Sequence, residues 1–477
     1  MKYVSTRFKV TFGFEEALFC CFTEDGGLLM PETTPKVSLE TLKKWKNLTY
    51  DEIVKQVVGL FVAEDEVPED ARDKLLDNAF QHFDTKDIVC LKELNDGLNV
   101  LELWHGDTLA FKDLAMTCTV QFLNYFLKKR KKHFTAVVVT SGDTGSSAIY
   151  GARNLKTIDV IVLYPHNRIS KLQELMMTTA GADNIHLYAV DGSSDDIDIA
   201  AMKVWTDAGF IKEHNVGTMN SMNWCRIMIQ IAHHIYAYLK VAKQIGDPVN
   251  IIIPCGGCGN MTSCVLARDM RLPIQPVGVS NKNDSFHKMM KFNERVLSNV
   301  SVSLAPAMDI ALAQNVERII WLLTDRSYDI VRHAMEDFLT NKKSKLPDSA
   351  YKKMCDVIST SVASDEIIIK AMKRCWEENQ YHICPHTATA VAHFYGITEG
   401  CFAVREEKNV PSVCLATASA AKFAEAVEKA DLPPCHSPKI QALEGIKERY
   451  EYVAKDVDWA DLIRNKVVSI SLRYQKK

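Results

Sequence analysis

The chain has 477 residues, 47% of them hydrophobic, which is enough to bury a large core and to form two or three domains. Its 57 basic and 60 acidic residues nearly balance, so a net charge of -3 gives no global attraction to nucleic acid or to an anionic membrane. Fourteen irregularly spaced cysteines, several within apolar runs, are typical of reduced core residues rather than of a disulfide framework.

The first residues of the chain predict an N-terminal domain over 1–92. They contain neither a secretory h-region nor an apolar run of membrane-spanning length. A helix is predicted to begin after Thr49, because Glu52 stands three residues further on and completes a capping box. We therefore expect a cytoplasmic protein, monomeric or homodimeric, that binds neither nucleic acid nor a membrane.

From Leu98 onward, short apolar runs alternate with helical segments. These runs are almost continuously apolar, as the strands of a parallel sheet covered on both faces are. The predicted fold is therefore α/β, with doubly wound, mostly parallel sheets in a large and a smaller domain. The predicted strands are 136–140, 160–164, 185–190, 250–253, 277–280 and 413–417.

The predicted division after the N-terminal domain has three parts. Residues 93–220 form a region that includes a small mobile subdomain. Residues 221–430 form the large domain, with a mainly helical insertion at about 305–377. Residues 431–477 form a C-terminal tail.

The stretch WHGDTLAFKD places a lysine at the N-terminus of a predicted helix. Lys112 follows a glycine-containing loop and the aromatic Phe111, and the helix after it repeats an apolar residue at every fourth position. A lysine desolvated in such a place has a lowered pKa, so its neutral amine can form a Schiff base. The apolar residues are Leu114, Cys118, Phe122 and Phe126.

Two loops after predicted strands are rich in small polar residues, at the sheet edge where ligands of open α/β sheets bind. The loop TSGDTGSSA, 140–148, offers hydroxyls and N–H groups for a small anion such as a carboxylate, although an ordinary capped turn has the same composition. The loop PCGGCGN, 254–260, suits a phosphate held at a helix N-terminus.

The second loop also contains a C-x-x-C pair, Cys255 and Cys258, which is compatible with redox chemistry or half of a zinc site. No second cysteine or histidine pair follows at zinc-finger spacing, so we predict no metal. A third segment, ATASAAKF, places Thr417 at the end of a strand, where a hydroxyl can bond a ring nitrogen. Close packing of small residues explains that segment equally well.

These parts together predict a site for pyridoxal 5′-phosphate and an amino acid, with a lysine for the aldehyde and loops for phosphate and carboxylate. The whole chain also resembles the threonine synthase family. WHGDTLAFKD is similar to that family's cofactor-lysine motif, and TSGDTG, KLQELMMTT, NSMNWCRIMIQ, NKND, SLAPAMDI, CPHTATAV and LATASAAKF follow in the family's order. The segments RCWEENQYHICPHTATAV and LATASAAKFAEAV most resemble the animal threonine synthase-like proteins.

The resemblance implies a fold-type II pyridoxal-phosphate enzyme in which Lys112 is the catalytic lysine and forms the Schiff base. It implies that Phe111 lies near the cofactor ring, that Asp143 contacts the 3′-oxygen, and that Thr417, or Ser419 if the register differs, meets the ring nitrogen. The implied phosphate-binding residues are Gly256, Gly257, Cys258, Gly259 and Asn260. The implied substrate-binding residues are Ser141, Gly142 and Thr144 for the carboxylate, and Asn223, Arg226 and Lys171 for the phosphate.

Three segments depart from the family's usual pattern: the phosphate loop, the residues 311–315 after SLAPAMDI, and Cys384, where an aspartate is common. The resemblance to the threonine synthase-like proteins favours a phospho-lyase that converts O-phosphothreonine or O-phosphohomoserine to 2-oxobutyrate, ammonia and phosphate. Two alternatives stay open, a threonine synthase and a non-enzymatic relative with a regulatory or signalling role.

Overall fold

The computed structural model describes residues 1–403 and 410–475. Its strands are β1 (Tyr3–Ser5), β2 (Thr11–Phe12), β3 (Leu29–Pro31), β4 (Cys90–Glu93), β5 (Asn99–Glu102), β6 (Phe134–Val139), β7 (Ile158–Pro165), β8 (Ile185–Val190), β9 (Val216–Gly217), β10 (Val249–Pro254), β11 (Ile274–Ser280), β12 (Arg295–Val296), β13 (Lys343–Ser344), β14 (Ser359–Val362), β15 (Glu399–Phe402), β16 (Ser412–Ala416) and β17 (Glu451–Val453).

The helices alternate with the strands along most of the chain. They are α1 (Phe14–Phe19), α2 (Leu39–Trp45), α3 (Tyr50–Phe61), α4 (Glu69–Phe80), α5 (Lys112–Arg130), α6 (Asp143–Ala152), α7 (Lys171–Thr178), α8 (Ser194–Trp205), α9 (Ala208–His214), α10 (Trp224–Val241), α11 (Gly259–Asp269), α12 (Ser285–Phe292), α13 (Val316–Leu323), α14 (Tyr328–Asn341), α15 (Asp348–Val357), α16 (Asp365–Asn379), α17 (Pro385–Phe394), α18 (Ala424–Lys429), α19 (Pro438–Gln441) and α20 (Trp459–Gln475). In the described residues, no helix is long and apolar enough to cross a membrane.

Two mostly parallel sheets form the body of the fold. The larger has the order β15-β14-β11-β10-β16-β5-β4, with parallel pairing in its centre and antiparallel strands at both edges. The smaller has the order β17-β8-β7-β6-β9 and is parallel throughout. Near-continuous apolar sequences such as that of β7, which is buried at every residue, are what such doubly covered sheets require. The predicted α/β class and all six predicted strands are confirmed.

The sheets do not follow the predicted division of the chain. Strand β5, which lies in the predicted region 93–220, pairs with β16 of the larger sheet. Strand β17 of the predicted tail pairs with β8 of the smaller sheet, and α20 packs on α8. The predicted insertion 305–377 is mainly helical, but its strand β14 belongs to the larger sheet. Composition along the chain does not carry this information, because sheet pairing joins residues that are distant in sequence.

Helix α10 lies in the core and packs against α3, α5 and α11. It is buried from Trp224 to Leu239, polar residues included. Three of these polar residues, Arg226, Gln230 and His233, recur at spacings of four and three and so share one face of the helix. Because buried polar groups need partners, this face marks the place where the core meets a polar site.

Candidate active site

A cavity of about 150 Å³ lies where the carboxyl ends of strands from both sheets face each other. Its walls come from the segments that follow β6, β10 and β16, and from the first turn of α5. The predicted residues that line it are Phe111, Lys112, Ser141, Asp143, Thr144, Arg226, Gly256, Gly257, Cys258, Gly259, Asn260 and Thr417. The fold therefore brings together segments that lie more than 300 residues apart in sequence, as Lys112 and Thr417 do.

Lys112 is the first residue of α5, and its side chain is 15% exposed. Its Nζ lies 5.4 Å from the centroid of the Phe111 ring and 3.6 Å from Asp143 Oδ2. Burial lowers the pKa of Lys112 below its ordinary value; the charge of Asp143 opposes the shift, and Lys422 and Arg226 add to it. A larger share of neutral, nucleophilic amine is therefore present at neutral pH.

Asp143 is fixed by three side chains. Its Oδ1 accepts hydrogen bonds from Lys422 Nζ at 2.7 Å and from Gln173 Nε2 at 2.9 Å, while Lys112 faces Oδ2. Burial alone raises the pKa of Asp143, but the charges of Lys422 and Lys112 outweigh it and hold that pKa well below its usual range. The carboxylate thus stays ionised beside the loop predicted to bind an anion, because Lys422 compensates its charge.

Gly142 shapes the loop before α6 without lining the cavity. Its φ is +139°, and an added Cβ would clash with the side-chain amide of Gln173. Its N–H donates to Thr140 Oγ1 at 2.9 Å, so this donor is already used within the loop. The neighbouring Ser141 and Thr144 do line the cavity.

The glycine loop between β10 and α11 forms the opposite wall. Gly256 allows a close approach, since an added Cβ would lie 2.9 Å from Met308 Cα. Cys258 caps α11 with φ of +60°, so the first N–H groups of that helix lie beside the cavity. N–H groups at a helix N-terminus lack partners within the helix and favour anions.

Asn260 supplies a side-chain donor in the same wall. Its Oδ1 accepts a hydrogen bond from His233 Nε2 at 3.0 Å, while its buried Nδ2 finds no partner among the described residues. Arg226 is similar: its Nη1 donates to Met219 O at 2.7 Å, and its buried Nε finds no partner there. Unpaired buried donors are costly, so both positions suit an anionic ligand.

The structure places two predicted residues away from the cavity. Asn223 caps α10, and its Nδ2 donates to Leu18 O at 2.7 Å and to Thr218 O at 3.2 Å. The Lys171 side chain is 68% exposed and pairs with Glu174 and Glu448 on the surface. Of the three residues predicted for the substrate phosphate, only Arg226 lines the cavity.

Thr417, rather than its neighbour Ser419, lines the cavity. The carbonyl of Thr417 also accepts a hydrogen bond from the Phe111 N–H at 2.8 Å, which ties the end of β16 to the start of α5. Ser419 caps a short 3-10 helix and accepts a hydrogen bond from the Ala421 N–H.

Sequence reasoning missed Lys422 and His386. Lys422 is fully buried, and His386 lines the cavity with its Nε2 accepting the Ala307 N–H at 3.0 Å. Burial lowers the pKa of His386 to about 3, so its ring is neutral at physiological pH. Both residues lie in motifs that resemble the threonine synthase family, LATASAAKF and CPHTATAV. A charged or titratable side chain among small residues in these motifs could have indicated a site residue.

Replacing the buried His233 should make the unfolding free energy depend less on pH under acidic conditions. Burial lowers the pKa of His233 from 6.5 to about 4, so the unfolded chain binds a proton that the folded chain does not between these values. This contribution to stability is complete above pH 6.5 and is lost as the pH falls toward 4. We expect the pH slope of the unfolding free energy of His233→Gln to be shallower there by up to about 1.4 kcal/mol per pH unit.

Urea unfolding at a series of pH values measures this slope. The exposed His333→Gln is the control and should reproduce the parent curve. Parallel curves for the parent and His233→Gln would contradict the assignment of a neutral His233 to the folded state.

The chain matches known proteins along its length. A family profile described as pyridoxal-phosphate dependent enzyme covers residues 91–339, and profiles described as threonine synthase N terminus and threonine synthase, C-terminal, cover 2–80 and 387–463. Threonine synthase-like 2 of Xenopus laevis is 43% identical over 99% of each chain, and threonine synthase of Schizosaccharomyces pombe is 34% identical over 90% of this chain and 89% of its own.

The fold also matches solved structures over nearly the whole chain. The crystal structure of PLP-bound threonine synthase from Brucella melitensis superimposes with a TM-score of 0.89, at 27% identity, over 98% of each chain. The predicted family, fold type and cofactor are thereby confirmed. The chain belongs to the threonine synthase family of pyridoxal-phosphate-dependent enzymes.

Proposed function

We propose that this protein is a phospho-lyase that converts O-phosphothreonine or O-phosphohomoserine, with water, to 2-oxobutyrate, ammonia and phosphate. The observation that carries this proposal is the position of Lys112, a partly buried amine of lowered pKa that faces a glycine loop across one cavity. Similarity to threonine synthase-like 2 supports the choice of elimination over threonine synthesis.

The cavity residues fit pyridoxal 5′-phosphate. The loop 256–259 and the N-terminus of α11 offer N–H groups for the phosphate. Asn260 Nδ2, which has no partner in the described part of the chain, adds a further donor. Phe111 and Thr417 flank the space beside Lys112. When bound, the cofactor stabilises the negative charge left on the substrate's α-carbon after its proton leaves.

Lys112 is the residue best placed to move protons in this cavity. The Asp143 carboxylate is held ionised by Lys422 and is therefore a weak base. The Nε2 lone pair of His386 is occupied by the Ala307 N–H. We therefore assign removal of the α-proton to the amine of Lys112, and, for O-phosphohomoserine, also removal of a proton from the β-carbon.

Two groups of residues orient the substrate in this proposal. Ser141 and Thr144 bind its carboxylate, and Arg226 binds its phosphate through Nε, which finds no partner among the described residues. Asn223 and Lys171 are not included, since their side chains do not reach the cavity.

The product depends on access of water to the β-carbon. Met308, Ile310 and Leu312 give one part of the cavity wall an apolar surface, and Met308 and Ile310 lie next to the glycine loop. Leu312 lies in the segment 311–315, which departs from the family's usual pattern. An apolar wall holds few ordered waters, which favours release of the elimination product, and that product hydrolyses to 2-oxobutyrate and ammonia.

Product analysis tests this proposal. With each substrate, we expect release of phosphate together with an equal amount of 2-oxobutyrate and little threonine. The Lys112→Ala control should release phosphate at least about a thousandfold more slowly. Threonine as the main product would instead identify a threonine synthase. An absence of phosphate release from both substrates would support a non-enzymatic role.

A further inference from the structure

Two cysteines of the glycine loop lie in contact with each other inside the cavity. Cys255 Sγ and Cys258 Sγ are 3.6 Å apart, and both residues are buried and line the cavity wall. Cys255 directly follows β10 and Cys258 directly precedes α11, so the pair joins the two ends of the loop. The proposed reaction uses the N–H groups of this loop and neither thiol.

The loop can bring the two sulfurs together. A disulfide has an S–S distance of about 2.0 Å, which requires an approach of roughly 1.5 Å. Gly257 lies between the cysteines with room around it, since the nearest atom to an added Cβ would be 3.6 Å away. Cys258 has φ of +60°, an unfavourable backbone conformation for a residue with a Cβ. Movement of the loop therefore does not take the Cys258 backbone out of a favoured conformation.

We propose that Cys255 and Cys258 form a disulfide when the enzyme meets a hydroperoxide, and that this disulfide and the bound cofactor exclude each other. The second part rests on the proposed function, because it takes this loop as the site of the cofactor phosphate. A disulfide pulls the ends of the loop together and displaces the N–H groups of residues 256–260. A phosphate held by those N–H groups fixes the loop with its sulfurs apart.

The reaction is balanced with hydrogen peroxide as the oxidant. A hydrogen bond to Cys255 and burial raise the pKa of Cys258 well above its usual value, so Cys258 keeps its proton and the Cys255 sulfur attacks. The O–O bond breaks, the departing hydroxide takes the proton of the Cys255 thiol and leaves as water, and Cys255 becomes a sulfenic acid. The Cys258 sulfur then attacks the Cys255 sulfur, the S–O bond breaks, and a second water leaves.

Two thiols and one peroxide thus give one disulfide and two waters. The two sulfurs supply the two electrons that reduce the peroxide. A dithiol reductant restores both thiols by thiol–disulfide exchange, with its own sulfurs becoming the disulfide.

The experiment compares cofactor-free and cofactor-loaded enzyme after treatment with hydrogen peroxide. Unreacted thiols are alkylated in denaturant, and the tryptic fragment 244–268, which contains Cys255, Cys258 and Cys264, is analysed by mass spectrometry. In the cofactor-free enzyme we expect this fragment to be lighter by two hydrogens and alkylated only at Cys264. In the loaded enzyme we expect all three cysteines to be alkylated.

Cofactor binding is then measured by the quenching of protein fluorescence. Oxidation should weaken the binding of pyridoxal 5′-phosphate roughly tenfold for each phosphate hydrogen bond lost, and dithiothreitol should restore it. Cys255→Ser, which lacks the attacking sulfur, should have the same affinity before and after peroxide treatment, whereas Cys264→Ala should respond as the parent does. Cys264 is the matched control, because it lies buried in α11 and does not line the cavity.

Two results would overturn the inference: a fragment alkylated at all three cysteines in the oxidised, cofactor-free enzyme, or a disulfide that leaves cofactor affinity unchanged. Failure of the reduced parent to bind pyridoxal 5′-phosphate is a different outcome. It would overturn the proposed function and the predicted exclusion, while the mass of the fragment would still decide whether the disulfide forms.

Discussion

Lys112→Ala should abolish the visible absorbance of the lysine-bound cofactor and reduce phosphate release by about a thousandfold or more. The reason is that the Lys112 amine is the group in the cavity that can both hold the cofactor aldehyde and move substrate protons, since Asp143 and His386 have their acceptor atoms engaged. Absorbance spectra of the purified protein and a phosphate-release assay measure the two effects.

Lys171→Ala is the matched control for this prediction. The Lys171 side chain is largely exposed and forms surface ion pairs, so its loss should leave both the spectrum and the rate at the parent values. An unchanged spectrum in Lys112→Ala would remove the cofactor role from Lys112. A large loss of rate in Lys171→Ala would show that the substrate phosphate reaches beyond the cavity described above.

Lys422→Met should destabilise the fold by about 3–5 kcal/mol, the usual cost of removing one member of a buried ion pair. The Lys422 side chain is fully buried, and its Nζ bonds both Asp143 Oδ1 at 2.7 Å and the carbonyl of Thr108 at 2.8 Å. Without it, burial of the Asp143 charge is compensated only in part by Lys112 and Gln173. Urea unfolding of the cofactor-free proteins measures the difference.

The same segment offers a control for Lys422. Lys429 forms an exposed ion pair with Glu425 at 2.7 Å, and Lys429→Ala should cost less than about 1 kcal/mol. Adding Asp143→Asn to Lys422→Met should recover part of the loss, because it removes the charge that was left without its partner. Equal unfolding midpoints for the parent and Lys422→Met would refute the importance of this pair.

The sequence predicted the parts of the site that depend on local pattern. Strands such as β7 have the short, nearly continuous apolar sequence that is typical of a doubly covered sheet. The glycine loop after β10 could be recognised because phosphate sites use backbone N–H groups. Lys112 was identifiable because a helix pattern begins immediately after it.

The parts that were missed depend on tertiary contacts. Lys422 looks like any lysine in sequence, and only the approach of the 3-10 helix after β16 to the start of α6 shows that it neutralises Asp143. Lys171 and Asn223 were assigned by residue type, but a donor can serve a surface ion pair or a helix cap equally well. The polar face of α10 could have indicated the site, since Arg226 and His233 lie on one side of a mainly apolar helix.

The pairing of β17 with β8 delays completion of the smaller sheet during biosynthesis. Val190 leaves the ribosome long before Glu451 is made, an interval on the order of tens of seconds at about 5–20 residues per second. Throughout this time β8 is an uncovered edge strand, the kind of surface that pairs with other chains. In the finished chain this edge is paired with β17, the last strand to be synthesised.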